Sequence, residues 1–351
     1  MELNGVMKNK FSFSLIVFSC SIQIMFVFFC LVLSISISSC TNETTTNSNE
    51  KKKTQTTTQI NIPSFNEDSA YKFIAKQVSF GPRVPNTKSH EECALYLENT
   101  LKRYTSNVII QKAELMAYDA RILKSKNIIA SFNADSKNRI ALFGHWDTRP
   151  FADQDTKDKE KPIDGANDGG SEIGILLEIA RALSATKPNV GVDIILFDAE
   201  DYGQPEDSEF PMQDSYCLGS QYWAKHKHDP KYFAKYGILL DMVGAKNAQF
   251  TMEGISMEYA GDIVKKVWNT AAQAGYSDYF IFNKTRAITD DHYYVNKIAQ
   301  IPTIDIIQYD PQTSSNFSAS WHTHNDNMNV IDKNTLKAVG QTLLEVIYRE
   351  K

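Results

Sequence analysis

Beyond about residue 60, the apolar residues of this chain recur in two alternating patterns. Short runs rich in apolar and β-branched residues, typical of buried strands, occupy 138–143, 192–197, 236–240 and 302–307. Apolar residues at helical spacing occupy 172–183, 221–227, 259–274 and 333–349. This alternation predicts an α/β fold, a three-layer sandwich in which helices flank a mixed, mostly parallel β-sheet.

The first 60 residues have a different pattern, in which Lys8 and Lys10 precede a long apolar run at 11–33 and then Cys40. This order predicts an export signal. The residues Ile-Ser-Ser-Cys that end at Cys40 resemble the lipobox of bacterial lipoproteins, in which the signal is cut before a cysteine that carries the lipid. The apolar run is also long enough for an uncleaved transmembrane anchor, which is the alternative.

Three segments follow from this pattern. Residues 1–39 are the predicted lipoprotein signal, and 40–60 are a flexible tether that is poor in apolar residues. Residues 61–351 contain no repeat and no second linker, so they form one predicted catalytic domain. We expect the protein to be exported and held by the lipid on Cys40, on the periplasmic or cell-surface side of a bacterial membrane.

Composition argues against nucleic acid as a partner and leaves open whether the domain contains a disulfide bond. The formal net charge of -5 provides no basic surface, so nucleic acid is not an expected partner. Of the five cysteines, only Cys93 and Cys217 fall within the predicted domain. Two cysteines are too few for a disulfide framework, and the sequence leaves open whether these two form a single bridge.

Acidic residues and histidines follow the predicted buried strands. They are His145 and Asp147, Asp168 at the start of a helix, Glu200 and Asp201, Asp241, and His322 and His324. In a parallel sheet, ligands bind beyond the carboxyl ends of the strands. Histidine nitrogens and carboxylate oxygens are ordinary zinc ligands. The set therefore predicts a metal site at this edge of the sheet.

Each of these acids has a simpler explanation when it is taken alone. Asp168 could cap its helix, Asp241 could pair with a lysine, and Glu200 could lie on a solvated loop. Their recurrence at successive strand ends favours the metal site. The paired glycines after Asp168 would also let the backbone approach such a site closely.

The order of these residues resembles that of the zinc peptidases that include the bacterial leucyl-type aminopeptidases, from about residue 127 to the end. The resemblance implies that Asp168, Asp201 and His322 bind zinc and that Glu200 is the general acid and base. His145 and Asp241 match residues that hold a second zinc in two-metal members, and His145 is otherwise expected beside the site. Family members often have Glu where this chain has Asp201.

Within that family the chain looks most like the glutaminyl-peptide cyclotransferases. The resemblance is carried by Asp290-Asp291-His292 after an apolar segment that ends at Ile288, by Phe317, and by Trp321 directly before His322. It implies that Glu200, Asp241 and Asp290 form the catalytic set. It also implies that Trp321, Phe317, Ile288 and Asp291 bind the substrate, although the two aromatic residues could instead belong to the core.

In place of a tryptophan that animal cyclases have after the acidic pair, this chain carries the insertion QPEDSEFPMQDS. Phe210, within it, is the expected substitute. His292 and His324 are expected to have structural roles or to support the ligands rather than to bind zinc.

The implied activity is the conversion of N-terminal glutamine on peptides and proteins to pyroglutamate, with release of ammonia and one zinc ion per chain. The alternative is an aminopeptidase, for which two zinc ions are expected. A third interpretation, a tethered binding protein without catalysis, predicts that Glu200 can be replaced without effect.

Overall fold

The structure, a computed structural model, describes residues 61–205 and 208–351. The predicted signal, the tether and Cys40 lie outside the described residues. Within the described ranges, none of the helices combines the length and the apolar character that crossing a bilayer requires.

A six-stranded mixed sheet forms the centre, in the order β1-β2-β4-β3-β5-β8. Its strands are β1 (Val108–Met116), β2 (Ile122–Phe132), β3 (Arg139–His145), β4 (Gly191–Phe197), β5 (Gly237–Asp241) and β8 (Thr303–Ile307). The first two pairings are antiparallel, and β4, β3, β5 and β8 pair in parallel. The strands β6 (Phe250–Met252) and β7 (Phe280–Lys284) form a separate pair. The sheet confirms the predicted mixed, mostly parallel architecture.

Helices separate the strands along the chain. The α-helices of the described residues are α1 (Glu67–Val78), α2 (Lys88–Lys102), α3 (Ser171–Ala185), α4 (Leu218–Lys225), α5 (Gly254–Gln273), α6 (Asp291–Tyr294) and α7 (Lys333–Arg349). A π-helical segment at Val295–Ala299 continues α6, and a 3₁₀ turn occupies Met328–Val330. The four predicted strands and the four predicted helices are all present.

Alternate residues of the central strands point to opposite faces of the sheet, which explains why helices cover both faces. Ile140 and Leu142 of β3 pack in the larger core, with residues of α1, α2, α3, α5 and α7. Ala141 and Phe143 pack in a second core with Trp223 of α4 and with the π-helical segment. The sheet therefore lies between two helical layers, as predicted.

The carboxyl ends of β3, β4 and β5 lie side by side because these strands are parallel neighbours. The β3 strand ends at His145, and β5 ends at Asp241. Glu200 follows the end of β4 by three residues. The fold thus gathers at one edge of the sheet the polar residues that are far apart in sequence.

Candidate active site

A cavity of about 650 Å³ opens at this edge of the sheet. Its lining includes these residues predicted from the sequence: Asp168, Glu200, Asp201, Asp241, Ile288, Asp290, Phe317, Trp321 and His322. Most of them are more than nine-tenths buried, so the cavity brings carboxylates, an imidazole and aromatic rings together away from bulk water.

The three predicted zinc ligands converge at one point of the cavity. The Nε2 atom of His322 lies 3.1 Å from Asp201 Oδ1 and 3.7 Å from Asp168 Oδ2. One ligand atom from each residue lies within 4.8 Å of the other two. The remaining carboxylate atom Asp201 Oδ2 is buried without a hydrogen-bond partner in the described structure, as is Asp168 Oδ2. Two carboxylates and one imidazole are a donor set that fits a catalytic zinc with an open position.

The second nitrogen of His322 supports this role. Its Nδ1 atom lies 3.2 Å from Asp153 Oδ1, so the ring is oriented with Nε2 toward the two carboxylates. Burial lowers the pKa of His322, but the carboxylates of Asp201 and Asp153 together outweigh this effect and raise that pKa to about 9.

Two buried carboxylates, those of Asp147 and Asp326, hold the backbone of the site in place. Asp147 accepts hydrogen bonds from the backbone N–H groups of Glu200 and Asp201, at 3.0 and 3.2 Å. Asp326 accepts one from the N–H of Asp168 at 3.0 Å. The positions from which the predicted ligands and base project are therefore set by main-chain contacts.

The glycine pair after Asp168 permits the predicted close approach of the backbone. Gly169 has φ +81, and a Cβ there would lie 2.3 Å from the carbonyl oxygen of Asp147 and 3.1 Å from the ring of His145. Only glycine satisfies both the left-handed conformation and the contact.

His145 lies beneath the cavity rather than in its lining. Its Nε2 atom is 3.1 Å from Asp168 Oδ1, 3.1 Å from Glu172 Oε1 and 3.5 Å from Asp241 Oδ1. His145, Glu172 and Asp241 together could hold a metal ion. Sequence reasoning missed Glu172, because an acid in the first turn of a helix usually faces solvent, whereas this one is fully buried.

The carboxylate of Glu200 is surrounded by other polar groups. The thiol of Cys217 donates to its Oε1 atom at 3.2 Å, and Oε2 lies 3.9 Å from His145 Nδ1. Burial raises the pKa of Glu200 well above its ordinary value, His145 opposes that rise, and the negative charges of Asp201 and Asp290 add to it. Cys93 and Cys217 are both buried free thiols, so the pair does not form a bridge.

Asp241, the last residue of β5, belongs to the same cluster of polar side chains as Glu200 and His145. Burial raises the pKa of Asp241 to about 7, and the charge of Asp290 adds to this effect, whereas the hydrogen bond with His145 opposes it.

Aromatic and aliphatic side chains form one wall of the cavity. The rings of Phe317 and Trp321 have centroids 4.9 Å apart, and Trp321 also stacks on the ring of His322 at 3.9 Å. Both aromatic residues pack against Met242 and Ile288. They line the cavity and are only partly buried, so they are not simply core residues.

Of the two adjacent acids, Asp290 enters the cavity and Asp291 does not. Asp290 caps α6, and Asp291 is the first residue of that helix. Asp291 is 1% exposed and is absent from the lining, and burial raises its pKa well above the ordinary value. Asp291 therefore lies outside the cavity lining, and its contact with substrate stays a prediction.

A second buried polar group lies beyond Asp290. The Nε2 atom of His292 is 3.2 Å from Glu253 Oε2, and its Nδ1 atom is 3.8 Å from Asp305 Oδ2. Glu253 also accepts a hydrogen bond from the N–H of Ile288 at 2.7 Å. His292 thus contacts the carboxylate that holds the backbone of Ile288, and Asp290, His292 and Asp305 also have the spacing of metal ligands.

Two further predicted positions lie outside the cavity. Phe210 is 79% exposed and does not appear in the lining of the cavity, so the structure does not place it where a substitute aromatic would stand. The Nδ1 atom of His324 lies 2.9 Å from Asp155 Oδ2 at the surface.

Comparison with known proteins gives a consistent set of relatives. The family model described as Peptidase family M28 matches residues 127–347. The chain is similar in structure to the glutaminyl cyclase of Bacteroides thetaiotaomicron bound to N-acetylhistamine, with a TM-score of 0.81 and 54% identity, over 83% of this chain and 100% of that one. It is equally similar to a Zn-dependent exopeptidase from Parabacteroides distasonis, with a TM-score of 0.81, 53% identity and the same coverage.

A more distant relative by sequence is the glutaminyl-peptide cyclotransferase of Dictyostelium discoideum, 25% identical over 259 residues. That match covers 66% of this chain and 66% of the length of the relative.

Proposed function

The chain belongs to peptidase family M28, and on that premise we propose that it is a glutaminyl-peptide cyclotransferase, which converts N-terminal glutamine of peptides to pyroglutamate and releases ammonia. One observation carries the proposal. A single cavity is bounded by the carboxylate of Glu200, by the predicted metal ligands, by Asp290 and by the aromatic wall of Phe317 and Trp321. The similarity to a bacterial glutaminyl cyclase, at more than half of the aligned residues, supports the same activity.

In the proposed reaction the α-amine nitrogen of the substrate bonds to the carbon of its own side-chain amide, and the bond from that carbon to the amide nitrogen breaks. The nitrogen leaves as ammonia, and no water is consumed. Glu200 takes one proton from the attacking amine and returns it to the leaving nitrogen, so it must lie near both atoms. The hydrogen bonds to Asp147 and Cys217 fix its backbone and its carboxylate.

Asp168, Asp201 and His322 would hold one zinc ion, which would supply Lewis-acid polarisation of the substrate amide. Asp153 orients the ring of His322, and Asp326 accepts a hydrogen bond from the N–H of Asp168. Both contacts fix the positions of these ligands before zinc binds. The remaining contribution is geometric. Phe317 and Trp321 would pack against the glutamine side chain of the substrate, and Asp290 would form a hydrogen bond with the substrate. These contacts would hold the glutamine side chain in the bent conformation that ring closure requires.

An aminopeptidase is the second candidate, and a specific observation keeps it open. Asp168 directs Oδ1 toward His145 and Oδ2 toward His322, and His145 also lies near Asp241. A second zinc held by His145, Asp168 and Asp241 would complete a two-metal site for hydrolysis. The aromatic wall and Asp290 favour the cyclase, because a general peptide hydrolase has no need of a pocket that holds the glutamine side chain.

The test is to incubate the purified protein with two peptides that differ only in their first residue, Gln or Leu. We expect the Gln peptide to lose the mass of one ammonia and the Leu peptide to remain intact. Metal analysis is expected to find about one zinc per chain, and chelation is expected to stop turnover. Release of free glutamine or leucine would refute the cyclase and support the aminopeptidase.

The variant Glu200→Gln isolates the proposed base. We expect it to retain zinc and to lose turnover by about 10²–10⁴-fold, the usual contribution of general acid–base catalysis. Full activity of this variant would remove Glu200 from the role, and absence of any turnover in the parent protein would favour a binding protein.

For the location of the protein, we propose export and lipid attachment at Cys40. The basic start, the apolar run and the small residues before the cysteine support this proposal. A labelled fatty acid should enter the parent protein in a bacterial host and fail to enter Cys40→Ser. Equal labelling of the two proteins would refute lipid attachment at Cys40.

A further inference from the structure

The proposed mechanism leaves the thiol of Cys217 without a chemical role, although it lies against the proposed base. Cys217 is fully buried and adopts φ +58 immediately before α4. Its backbone N–H donates to the carbonyl oxygen of Glu200 at 2.9 Å. Its Sγ atom lies 3.2 Å from Glu200 Oε1 and 4.0 Å from Asp290 Oδ1. The thiol therefore lies directly beneath two carboxylates that line the cavity.

These three side chains have the spacing of metal ligands. With a zinc–sulfur bond of about 2.3 Å and a zinc–oxygen bond of about 2.1 Å, tetrahedral geometry separates sulfur from oxygen by about 3.6 Å. The observed separations of 3.2 and 4.0 Å lie on either side of this value. One donor atom from each of the three residues lies within 4.8 Å of the other two.

An independent observation points to a cation at the same place. Asp290 is 6% exposed, and its Oδ2 atom is buried without a hydrogen-bond partner in the described structure. A buried carboxylate oxygen without a donor is costly unless it binds something.

We propose that Glu200, Cys217 and Asp290 form an inhibitory site for a thiophilic divalent cation, Cd²⁺ or excess Zn²⁺, distinct from the site of Asp168, Asp201 and His322. On binding, the Cys217 thiol releases its proton to solvent and the sulfur bonds to the metal. The cation then occupies both the proposed base and the carboxylate that bonds the substrate. The effect on turnover rests on the proposed function, whereas the binding itself does not.

The binding test uses the zinc-loaded protein titrated with Cd²⁺ and followed by ultraviolet absorbance. A cadmium–thiolate bond gives a charge-transfer band, and the ligands Asp168, Asp201 and His322 include no sulfur that could produce one. We expect the band in the parent protein and in Cys93→Ser, and we expect its amplitude to fall by one thiolate per chain in Cys217→Ser. Cys93 is the matched control because it is also a buried free thiol, and all other cysteines are common to the three proteins.

An unchanged band in Cys217→Ser would overturn the proposal, as would no difference from Cys93→Ser. The variant Asp290→Asn keeps the thiol and removes one carboxylate, so it provides a second test if Cys217→Ser does not fold. We expect at least a tenfold weaker affinity for Cd²⁺ in Asp290→Asn, and an unchanged affinity would count against the site.

The activity test measures the rate of cyclisation by the zinc-loaded protein as Cd²⁺ is added, at several substrate concentrations. The rate of each variant is compared with its own rate without Cd²⁺. We expect inhibition competitive with substrate, and an inhibition constant at least tenfold higher in Cys217→Ser than in Cys93→Ser. Mg²⁺, which prefers oxygen ligands, should not inhibit. Equal inhibition constants would overturn the proposed effect. If the protein does not cyclise glutamine at all, the absorbance difference at Cys217 still decides whether the site exists.

Discussion

The buried carboxylate of Glu253 offers a quantitative test of how the loop that carries Ile288 is held. Glu253 is 1% exposed, and it accepts hydrogen bonds from the backbone N–H groups of Ile255, Ser256 and Ile288, each at 2.7 Å. Despite burial, the hydrogen bond with His292 lowers the pKa of Glu253 from 4.5 to about 2. One carboxylate therefore caps α5 and fixes the loop beside the cavity.

The substitution Glu253→Gln keeps one acceptor oxygen but replaces the other with an N–H₂ group, which faces donors. The difference between the two pKa values corresponds to about 3.5 kcal/mol, at about 1.4 kcal/mol for each pKa unit. We therefore expect the free energy of unfolding of Glu253→Gln to be lower by about 2–3 kcal/mol near neutral pH.

The pH dependence identifies the cause of the loss. Because the folded-state pKa of Glu253 lies below the unfolded value, its stabilisation is complete above about pH 4.5 and disappears as the pH falls toward about 2. Urea unfolding of both proteins at about pH 7 and about pH 3.5 should show the difference narrowing by about 1.4 kcal/mol at the lower pH. An equal difference at the two pH values would refute the reasoning.

A matched control is Glu345→Gln, which removes a more exposed carboxylate that pairs with Arg349 along α7. This change should alter the free energy of unfolding by less than about 0.5 kcal/mol at both pH values, since exposed helical pairs contribute little. A loss in the control as large as that in Glu253→Gln would show that the urea assay does not report the buried contacts.

Three further changes probe the site and its support. Asp326→Asn should weaken zinc binding by about 10–100-fold in chelator competition, because it replaces an acceptor for the N–H of Asp168 with a donor; unchanged affinity would contradict this. Trp321→Leu should raise KM for a Gln peptide by about tenfold through loss of an aromatic contact of about 1.4 kcal/mol, and an unaltered KM would remove Trp321 from the pocket. Gly219→Ala would place a Cβ 2.0 Å from the carbonyl oxygen of Asp198, so thermal denaturation should show a loss of about 1–3 kcal/mol, and an unchanged Tm would contradict the close contact.

The sequence predicted the parallel half of the sheet better than its antiparallel edge. Strands β3, β4, β5 and β8 are buried nearly throughout, so their apolar runs are continuous and easily recognised. The edge strand β1 is partly buried and partly exposed along its length, which leaves a weak apolar signal. The helices α1 and α2 also have mixed faces; each begins with a capping residue, Asn66 or Thr87, but neither contributes a residue to the predicted site.

The same physics separates the site residues that sequence could predict from those that it could not. Asp241 was predictable because it is the last residue of a parallel strand, and ligands bind at the carboxyl ends of such strands. Glu172 and Cys217 lie on or just before helices, and only the packing of those helices against the strand ends brings them to the site. Asp290 and Asp291 are adjacent in sequence at the start of α6, yet only Asp290 lines the cavity.

Asp147 accepts hydrogen bonds from two successive main-chain N–H groups, and these bonds have a consequence for the evolution of this enzyme family. Because the main chain at Glu200 and Asp201 is anchored independently of what those side chains do, a different carboxylate at position 201 can project from an unmoved backbone. A single replacement at position 201 is then expected to change the ligand without disrupting the loop that carries it. A family built in this way can retain its architecture while its members diverge in the reactions that they catalyse.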